Sequence, residues 1–166
     1  MELLVVRHAI ALERSARRWP DDARRPLSPQ GAARARKAAL GLKRVTEHPA
    51  RVLVSPLRRA LQTAAILTQF AGWPEAGECV QLLPGADPEG LLALLARSHD
   101  SRIAVVGHQP GLGRLLAACL PGGVGAAAFE FRKMGVALLC FQGAARAGCG
   151  QLMWLLPPRI LRAAAS

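Results

Sequence analysis

The chain has 166 residues, of which 51% are hydrophobic, and its net charge at pH 7 is +11. This length and apolar content predict one folded domain over residues 1–166 and exclude an intrinsically disordered chain. No apolar run reaches the roughly 18 residues of a transmembrane helix, and Arg7 and His8 end the first apolar run too early for a secretory signal. A cytoplasmic protein with no membrane partner is therefore expected.

The positive charge attracts anions of every kind and does not choose between nucleic acid, an anionic membrane and a phosphorylated molecule. The chain has no Tyr and only four Phe residues that could stack on bases, and it carries no recognisable nucleic-acid-binding motif. A basic nucleic-acid-binding protein is therefore a distant alternative. The four cysteines are not spaced as zinc ligands, so no metal is expected.

The predicted elements alternate between short apolar strands and amphipathic helices over the first 120 residues. Strands are predicted at residues 3–7, 51–54, 80–82 and 103–106. Helices are predicted from Ser28-Pro29 to about Thr46, from Ser55-Pro56 to about Ala71, from Asp87-Pro88, and over residues 112–120. Strands at residues 129–131, 135–141 and 151–156 follow, joined by short turns.

This alternation predicts a three-layer α/β/α sandwich with a mostly parallel sheet and antiparallel strands near the C-terminus. In open sheets of this class, ligands bind beyond the carboxyl ends of the strands. Three predicted strand ends carry candidate groups, namely Arg7-His8, the segment 55–59 and Gly107-His108. Each alone fits a structural histidine or a pair of surface arginines. Their joint occurrence at strand ends favours a site for an anion.

Arg59 is predicted to lie in the first turn of its helix. Free N–H groups and the helix dipole favour an anion there, and a guanidinium can contact two phosphate oxygens at once. His108 follows Gly107, and Pro110-Gly111 predicts a tight turn that places it at the same edge as His8.

These segments resemble the signature of the histidine phosphatase superfamily, which is also called phosphoglycerate-mutase-like. The signature is an Arg-His-Gly at the first strand end, a Ser-x-Leu-x-Arg-Ala-x-Gln-Thr helix start and a later Gly-His. The segment Leu27-Ser28-Pro29-Gln30-Gly31 and the closing Pro157-Pro158-Arg159 resemble the SixA-like phosphohistidine phosphatase branch. The resemblance covers residues 1 to about 160.

The resemblance implies that His8 is the nucleophile and that Arg7, Arg59 and His108 complete a phosphate pocket, which should also accept sulfate. Arg59 is the match rather than Arg58 because it directly precedes the Ala of the motif. Ala9 departs from the usual Gly. The implied reaction needs no metal or other cofactor. One ring nitrogen of His8 attacks, the backbone of the following loop holds the other, and a protonated His108 helps to neutralise the phosphoryl oxygens.

Many larger members of the superfamily use a carboxylic acid as the proton donor, and residues 80–84 contain none. Gln81 is the expected occupant of that position, with Asp87 and Glu78 as alternatives. The branch resemblance implies that the substrate is phosphohistidine on a partner protein. A small phosphoester of the sugar-phosphate type is the alternative substrate, and a catalytically inactive phosphate-binding module is a third possibility.

Overall fold

The computed structural model describes residues 1–123 and 125–166, and in this part of the chain six strands form one mixed sheet. The strands are Glu2–Arg7 (β1), Arg51–Val54 (β2), Ala76–Glu78 (β3), Arg102–Gly107 (β4), Val136–Phe141 (β5) and Gly150–Leu156 (β6). The α-helices are Pro29–Val45 (α1), Arg58–Ala71 (α2), Pro88–Ala96 (α3), Gly111–Cys119 (α4) and Pro158–Ala163 (α5).

The strand order is β3-β2-β4-β1-β5-β6, with β1 to β4 parallel and β5 and β6 antiparallel to their neighbours. In β1, Leu4 and Val6 face a core shared with α1, α2 and α5, whereas Leu3 and Val5 face a core shared with α3 and α4. Because both faces of the central strands are buried, their sequences are continuous apolar runs. This arrangement confirms the expected α/β class with helices on both faces of the sheet.

The predicted starts of α1 and α3 are confirmed. The hydroxyl of Ser28 accepts a hydrogen bond from the Gly31 amide at 3.0 Å, and Pro29 occupies the first helical position. Asp87 caps α3 in the same way, through a hydrogen bond of 3.0 Å from the Glu89 amide.

The strand expected at residues 80–82 is wrong. The chain pairs with β2 earlier, over Ala76–Glu78, and then turns into the 3₁₀ helix Val80–Leu82. The Leu82 amide donates to the carbonyl of Cys79 at 3.1 Å and not to a neighbouring strand. Leu82 is buried while Val80 is exposed, and a single turn of 3₁₀ helix satisfies this pattern as well as a strand does.

The strand expected at residues 129–131 is also wrong. Phe129 and Phe131 are buried and Glu130 is exposed, which imitates the alternation of a strand. Their carbonyl groups instead accept hydrogen bonds from side chains, that of Phe131 from Arg7 and that of Phe129 from Gln109 at 2.7 Å. The segment therefore crosses the edge of the sheet next to β1 without joining it.

One helix boundary and one whole helix also differ from expectation. The second helix begins at Arg58, three residues after Ser55, because the Ser55 hydroxyl contacts His108 and forms no helix cap. The short helix α5 was not predicted from the sequence, and it packs against α1, where Gly41 lies directly under the Leu161 carbonyl.

Candidate active site

The ends of β1 and β4 lie side by side, and each is followed by a histidine. Arg7 pairs with Gly107 in the parallel register, so His8 and His108 leave neighbouring strands at the same edge of the sheet. Their ring centroids are 4.9 Å apart, and both side chains are buried. The structure therefore brings these two predicted site residues together.

The loop after β1 orients the imidazole of His8. Its Nδ1 lies 2.7 Å from the carbonyl oxygen of Ala9. Because a carbonyl oxygen can only accept, the proton of the neutral ring is on Nδ1 and the lone pair is on Nε2. The Ala9 amide donates to the Thr63 hydroxyl at 3.0 Å, and that hydroxyl donates to the Arg59 carbonyl at 2.7 Å. This chain of bonds ties the β1 loop to α2, and it leaves Nε2 of His8 as the ring nitrogen that can attack.

The surroundings of His8 favour its neutral form. Burial is the largest cause, and the charges of His108, Arg59 and Arg7 act in the same direction, so the pKa of His8 is lowered to about 3. At neutral pH the ring is uncharged, with its one proton on Nδ1, and its Nε2 lone pair is not blocked by a proton.

Ala9 fits the position where the family pattern has glycine. Its methyl group is buried in the core that faces α1 and α2. Apart from glycines, Met134 is the only described residue with a positive φ, so the backbone of Ala9 does not need the freedom of glycine.

His108 is oriented by Ser55, at the end of the neighbouring strand β2. Its Nε2 lies 2.8 Å from the Ser55 hydroxyl oxygen, which also lies 3.5 Å from the Leu57 amide. The Ser55 hydroxyl has one proton and two lone pairs, so it can donate to Nε2 or accept from it; when it donates, the ring proton is on Nδ1. Nδ1 is buried and has no hydrogen-bond partner among the described residues.

The surroundings of His108 favour its neutral form in the ligand-free protein at neutral pH. Burial is the largest cause, followed by the charges of Arg59 and Arg7, and together they lower the pKa of His108 to about 4. The protonated His108 expected beside a bound phosphoryl group stays a prediction. When Ser55 donates to Nε2, the neutral ring carries its proton on Nδ1. His108 can therefore donate a hydrogen bond to an anion without first acquiring a charge.

The two adjacent arginines of α2 have different environments. Arg59 is only 4% exposed, whereas Arg58 is exposed to solvent. One terminal nitrogen of Arg59 contacts Asp22 twice, at 3.0 Å from its carbonyl oxygen and 3.2 Å from its carboxylate. Nε of Arg59 is buried without a partner in the described part of the chain. The edge of the guanidinium that contains Nε is thus available for a two-point contact with an anion.

Arg7 supplies a second guanidinium at the same edge. A terminal nitrogen donates to the Phe131 carbonyl, and Nε is buried without a partner among the residues that the structure describes. Burial lowers the pKa of Arg7, and the charge of Glu130 partly offsets this effect. The charges of both arginines act on both histidines, so the four predicted residues form one electrostatic unit.

Asp22, which was not predicted as a site residue from the sequence, holds three arginines in place. Its carboxylate lies 2.7 Å from Arg25, 3.2 Å from Arg59 and 3.5 Å from Arg14. The hydrogen bond from Arg25 is the largest cause that lowers the pKa of Asp22 to about 2. Asp22 is therefore ionised at neutral pH and is not a proton donor. Its position in an irregular loop gave no periodic signal from which this role could be predicted.

The three candidates for the proton-donor position lie in different places. Gln81 and His108 line the same small cavity, and Cys79 donates to the Gln81 side-chain oxygen at 3.2 Å. Asp87 is exposed and caps α3, and Glu78 is exposed at the end of β3. No Asp or Glu is among the described residues that line the cavity beside His108.

Other parts of the surface do not share this chemistry. A larger cavity of about 1150 Å³ lies at the opposite edge of the sheet, near Glu2, His99 and Cys140, and contains none of the four predicted residues.

In residues 1–123 and 125–166 we find no cluster of three or more His, Cys, Asp or Glu side chains that could hold a metal ion. No helix in that same part of the chain has the length and apolar character required to cross a membrane.

Comparison with known proteins places the chain among phosphatases. The profile of the histidine phosphatase superfamily (branch 1) matches residues 3–84. Phosphohistidine phosphatase SixA of Escherichia coli is 31% identical over 126 residues, which is 74% of this chain and 76% of that protein. An uncharacterized protein of Picosynechococcus is 38% identical over 120 residues, 68% of this chain and 69% of that protein.

Solved structures show the same relationship. The protein histidine phosphatase SixA in complex with tungstate has a TM-score of 0.82 and 28% identity, and the match covers 97% of this chain and 99% of that one. The chain therefore belongs to the histidine phosphatase superfamily, in its SixA-like branch.

Proposed function

We propose that this phosphatase removes the phosphoryl group from phosphohistidine on a partner protein, through a covalent phosphohistidine intermediate on His8 and without a metal ion. The orientation of His8 is the observation that best supports this mechanism. Its Nδ1 is bonded to the Ala9 carbonyl, its Nε2 is free of a proton, and it lies against His108 within the field of Arg7 and the buried Arg59.

In the first step, Nε2 of His8 attacks phosphorus in line with the leaving nitrogen. The new P–N bond forms as the old one breaks, and the electron pair of the old bond stays on the departing imidazole. Arg7, Arg59 and the Nδ1–H of His108 are the groups that stabilise the phosphoryl oxygens. Because phosphoryl transfer is accelerated chiefly by positioning and by charge stabilisation, three such donors in a buried site can supply the role that magnesium has elsewhere.

In the second step, water attacks phosphorus and the bond to Nε2 breaks, which releases phosphate and a proton and restores the neutral ring. The tautomer of His8 supports this cycle. Its Nδ1 keeps its proton and donates it in a hydrogen bond to the Ala9 carbonyl throughout, so the ring becomes cationic only while Nε2 carries the phosphoryl group.

The cavity beside His108 supports phosphohistidine as the substrate class. Gln81 lines this cavity, and it cannot protonate a leaving group. A protonated phosphohistidine leaves as neutral imidazole, whose conjugate acid titrates near roughly 6.5, whereas an alkoxide needs a proton donated in the transition state. The similarity to SixA proteins points to the same class of substrate.

The proposal is tested by measuring phosphate release from a phosphohistidine peptide, a phosphoserine peptide and p-nitrophenyl phosphate, each with EDTA present. We expect fast turnover of the first and third substrates, slow turnover of the second, and acid-labile phosphate trapped on His8. His8→Ala should abolish both labelling and turnover while the circular dichroism spectrum is retained. Equal rates on the phosphoserine and phosphohistidine peptides would instead favour a general phosphomonoesterase.

A further inference from the structure

A cleft of about 370 Å³ lies next to the end of β1, between α1, α5 and the segment 130–134. We call it the basic cleft. Five of the described residues that line it are cationic and one is acidic. Besides Arg7 of the candidate active site, the cationic residues are Arg34, Arg132, Lys133 and Arg162. Its volume lies within the range of ordinary ligand sites.

The charge of the basic cleft is not neutralised within the fold. Among the described residues, none of Arg34, Arg132, Lys133 and Arg162 forms an ion pair or a side-chain hydrogen bond. Elsewhere, four carboxylates pair with nearby arginines. Asp22 pairs with three arginines, Asp100 with Arg51, and Glu2 and Glu47 with Arg102. Many other Lys and Arg side chains among the described residues also form no ion pair, so what distinguishes these four is that they line one concave surface together.

The wall of the cleft is bonded to the residues proposed to do the chemistry. The Met134 amide lies 3.1 Å from the Arg7 carbonyl and 3.2 Å from the His8 carbonyl, and the Arg7 amide donates to the Gly135 carbonyl at 3.1 Å. Met134 adopts a φ of 66°, a strained conformation that persists only where the surroundings fix it. This wall is therefore preformed.

The floor of the cleft is equally close to the site. Gly31 packs so tightly on the Ile10 carbonyl that a Cβ atom would lie 2.0 Å from that oxygen. Ile10, which also lines the cleft, is two residues after His8, and two residues of extended chain span at most about 7 Å. The basic cleft is thus within reach of side chains that flank a phosphohistidine held at His8.

We propose that the basic cleft binds acidic side chains that flank the phosphohistidine of the partner protein. The substrates of this enzyme would then be phosphohistidine proteins with an acidic surface around the phosphorylated residue. This inference rests on the proposed function. The apolar part of the lining, at Ile10, Ala35, Met134 and Pro158, suits the aliphatic stems of Glu side chains. Such a small concave cleft does not match the long continuous track of phosphates that nucleic-acid binding uses.

The test compares two fluorescent phosphohistidine peptides that differ only in four flanking residues, all Glu in one and all Gln in the other. Binding is measured by anisotropy on a His8→Asn background, and turnover is measured on the natural enzyme. We expect the Glu peptide to bind about tenfold more tightly at low salt, and the preference to disappear near roughly 0.5 M salt.

The double substitution R34E/R162E should abolish the preference for the Glu peptide. The matched control K43E/R146E removes the same charge from exposed positions at the opposite end of α1 and in the loop between β5 and β6, and should retain the preference. Turnover of p-nitrophenyl phosphate by R34E/R162E should change by less than about twofold, since a small substrate is held through its phosphoryl group at Arg7 and His8 and has no flanking side chains to contact Arg34 or Arg162.

Equal binding of the two peptides, or equal loss in both double variants, would overturn the inference even if both peptides are hydrolysed. A competition experiment with an oligothymidylate and an oligoglutamate of matched charge is a further test. If the oligothymidylate displaces the Glu peptide more strongly, the inference would also be overturned, in favour of nucleic acid. Charge-selective binding without hydrolysis would support the cleft while refuting the proposed function, so the two failures are distinguishable.

Discussion

Lowering the pH from 7.5 to 5 should destabilise this protein partly through His108, and His108→Asn should remove that part. The ring is neutral in the folded protein because burial and two arginines lower its pKa from 6.5 to about 4. In the unfolded chain this histidine binds a proton below about pH 6.5, whereas in the folded protein it binds one only below about pH 4. Its contribution to the free energy of unfolding therefore falls as the pH drops from 6.5 to 4, and it is fully lost below pH 4.

The magnitude follows from the two pKa values. Between pH 7.5 and pH 5, linkage of a single site with pKa values of 6.5 and about 4 removes about 2 kcal/mol from the free energy of unfolding. Urea denaturation at both pH values, followed by fluorescence, measures the change for each variant. The loss between pH 7.5 and pH 5 should be about 2 kcal/mol smaller in His108→Asn than in the natural protein.

His99→Asn removes an exposed imidazole and is the matched control, because it shows how much of the change comes from the loss of any histidine. If His108→Asn and the natural protein lose equal stability between the two pH values, then His108 is not held neutral by the fold. In that case the neutral form of His108 in the folded site would be refuted.

Three further predictions concern turnover. Arg59→Ala should lower kcat/KM about 10²–10³-fold, since a two-point charged contact is lost from a buried site, while Arg58→Ala should lower it less than about threefold; the reverse order in steady-state assays would show that the wrong arginine was assigned. Ser55→Ala frees the ring proton of His108 to move to Nε2 and should weaken competitive inhibition by phosphate about tenfold, and an unaltered inhibition constant would contradict a ring proton on Nδ1. Gln81→Glu should raise phosphoserine hydrolysis relative to p-nitrophenyl phosphate hydrolysis by up to about 10²-fold, and no change in that ratio would remove Gln81 from the proton-donor position.

The sequence predicted the β1 and β4 ends well because the signal there is physical and local. An apolar run followed by His8, and another followed by Gly107-His108, each mark the carboxyl end of a buried parallel strand. Because β1 and β4 are parallel neighbours, their carboxyl ends lie side by side, and these two side chains lie at the same edge of the sheet. Arg59 is predictable for a related reason, since it lies in the first turn of the helix that follows β2.

The parts that were wrong or missing depend on irregular backbone. At Phe129 and Phe131, burial alternates as in a strand, and only the partners of their carbonyl groups reveal a crossing segment. At residues 80–82, one turn of 3₁₀ helix buries the same Leu82 that a strand would bury. Hydrophobic periodicity reports which side chains are buried, and it does not report where main-chain groups find their partners.

Asp22 shows why a charged loop residue can matter as much as the motif residues. Arg7, Arg59, His8 and His108 form one cluster without an acid of its own, and each arginine lowers the pKa of both histidines. The carboxylate of Asp22 offsets this repulsion at Arg59 and occupies only one terminal nitrogen of its guanidinium. Because Arg25 and Arg14 share the carboxylate, Asp22 stays ionised and Arg59 stays fixed in direction. The orientation of Arg59, with its Nε edge free, is thus set before any phosphoryl group arrives, which is the preorganisation that phosphoryl transfer requires.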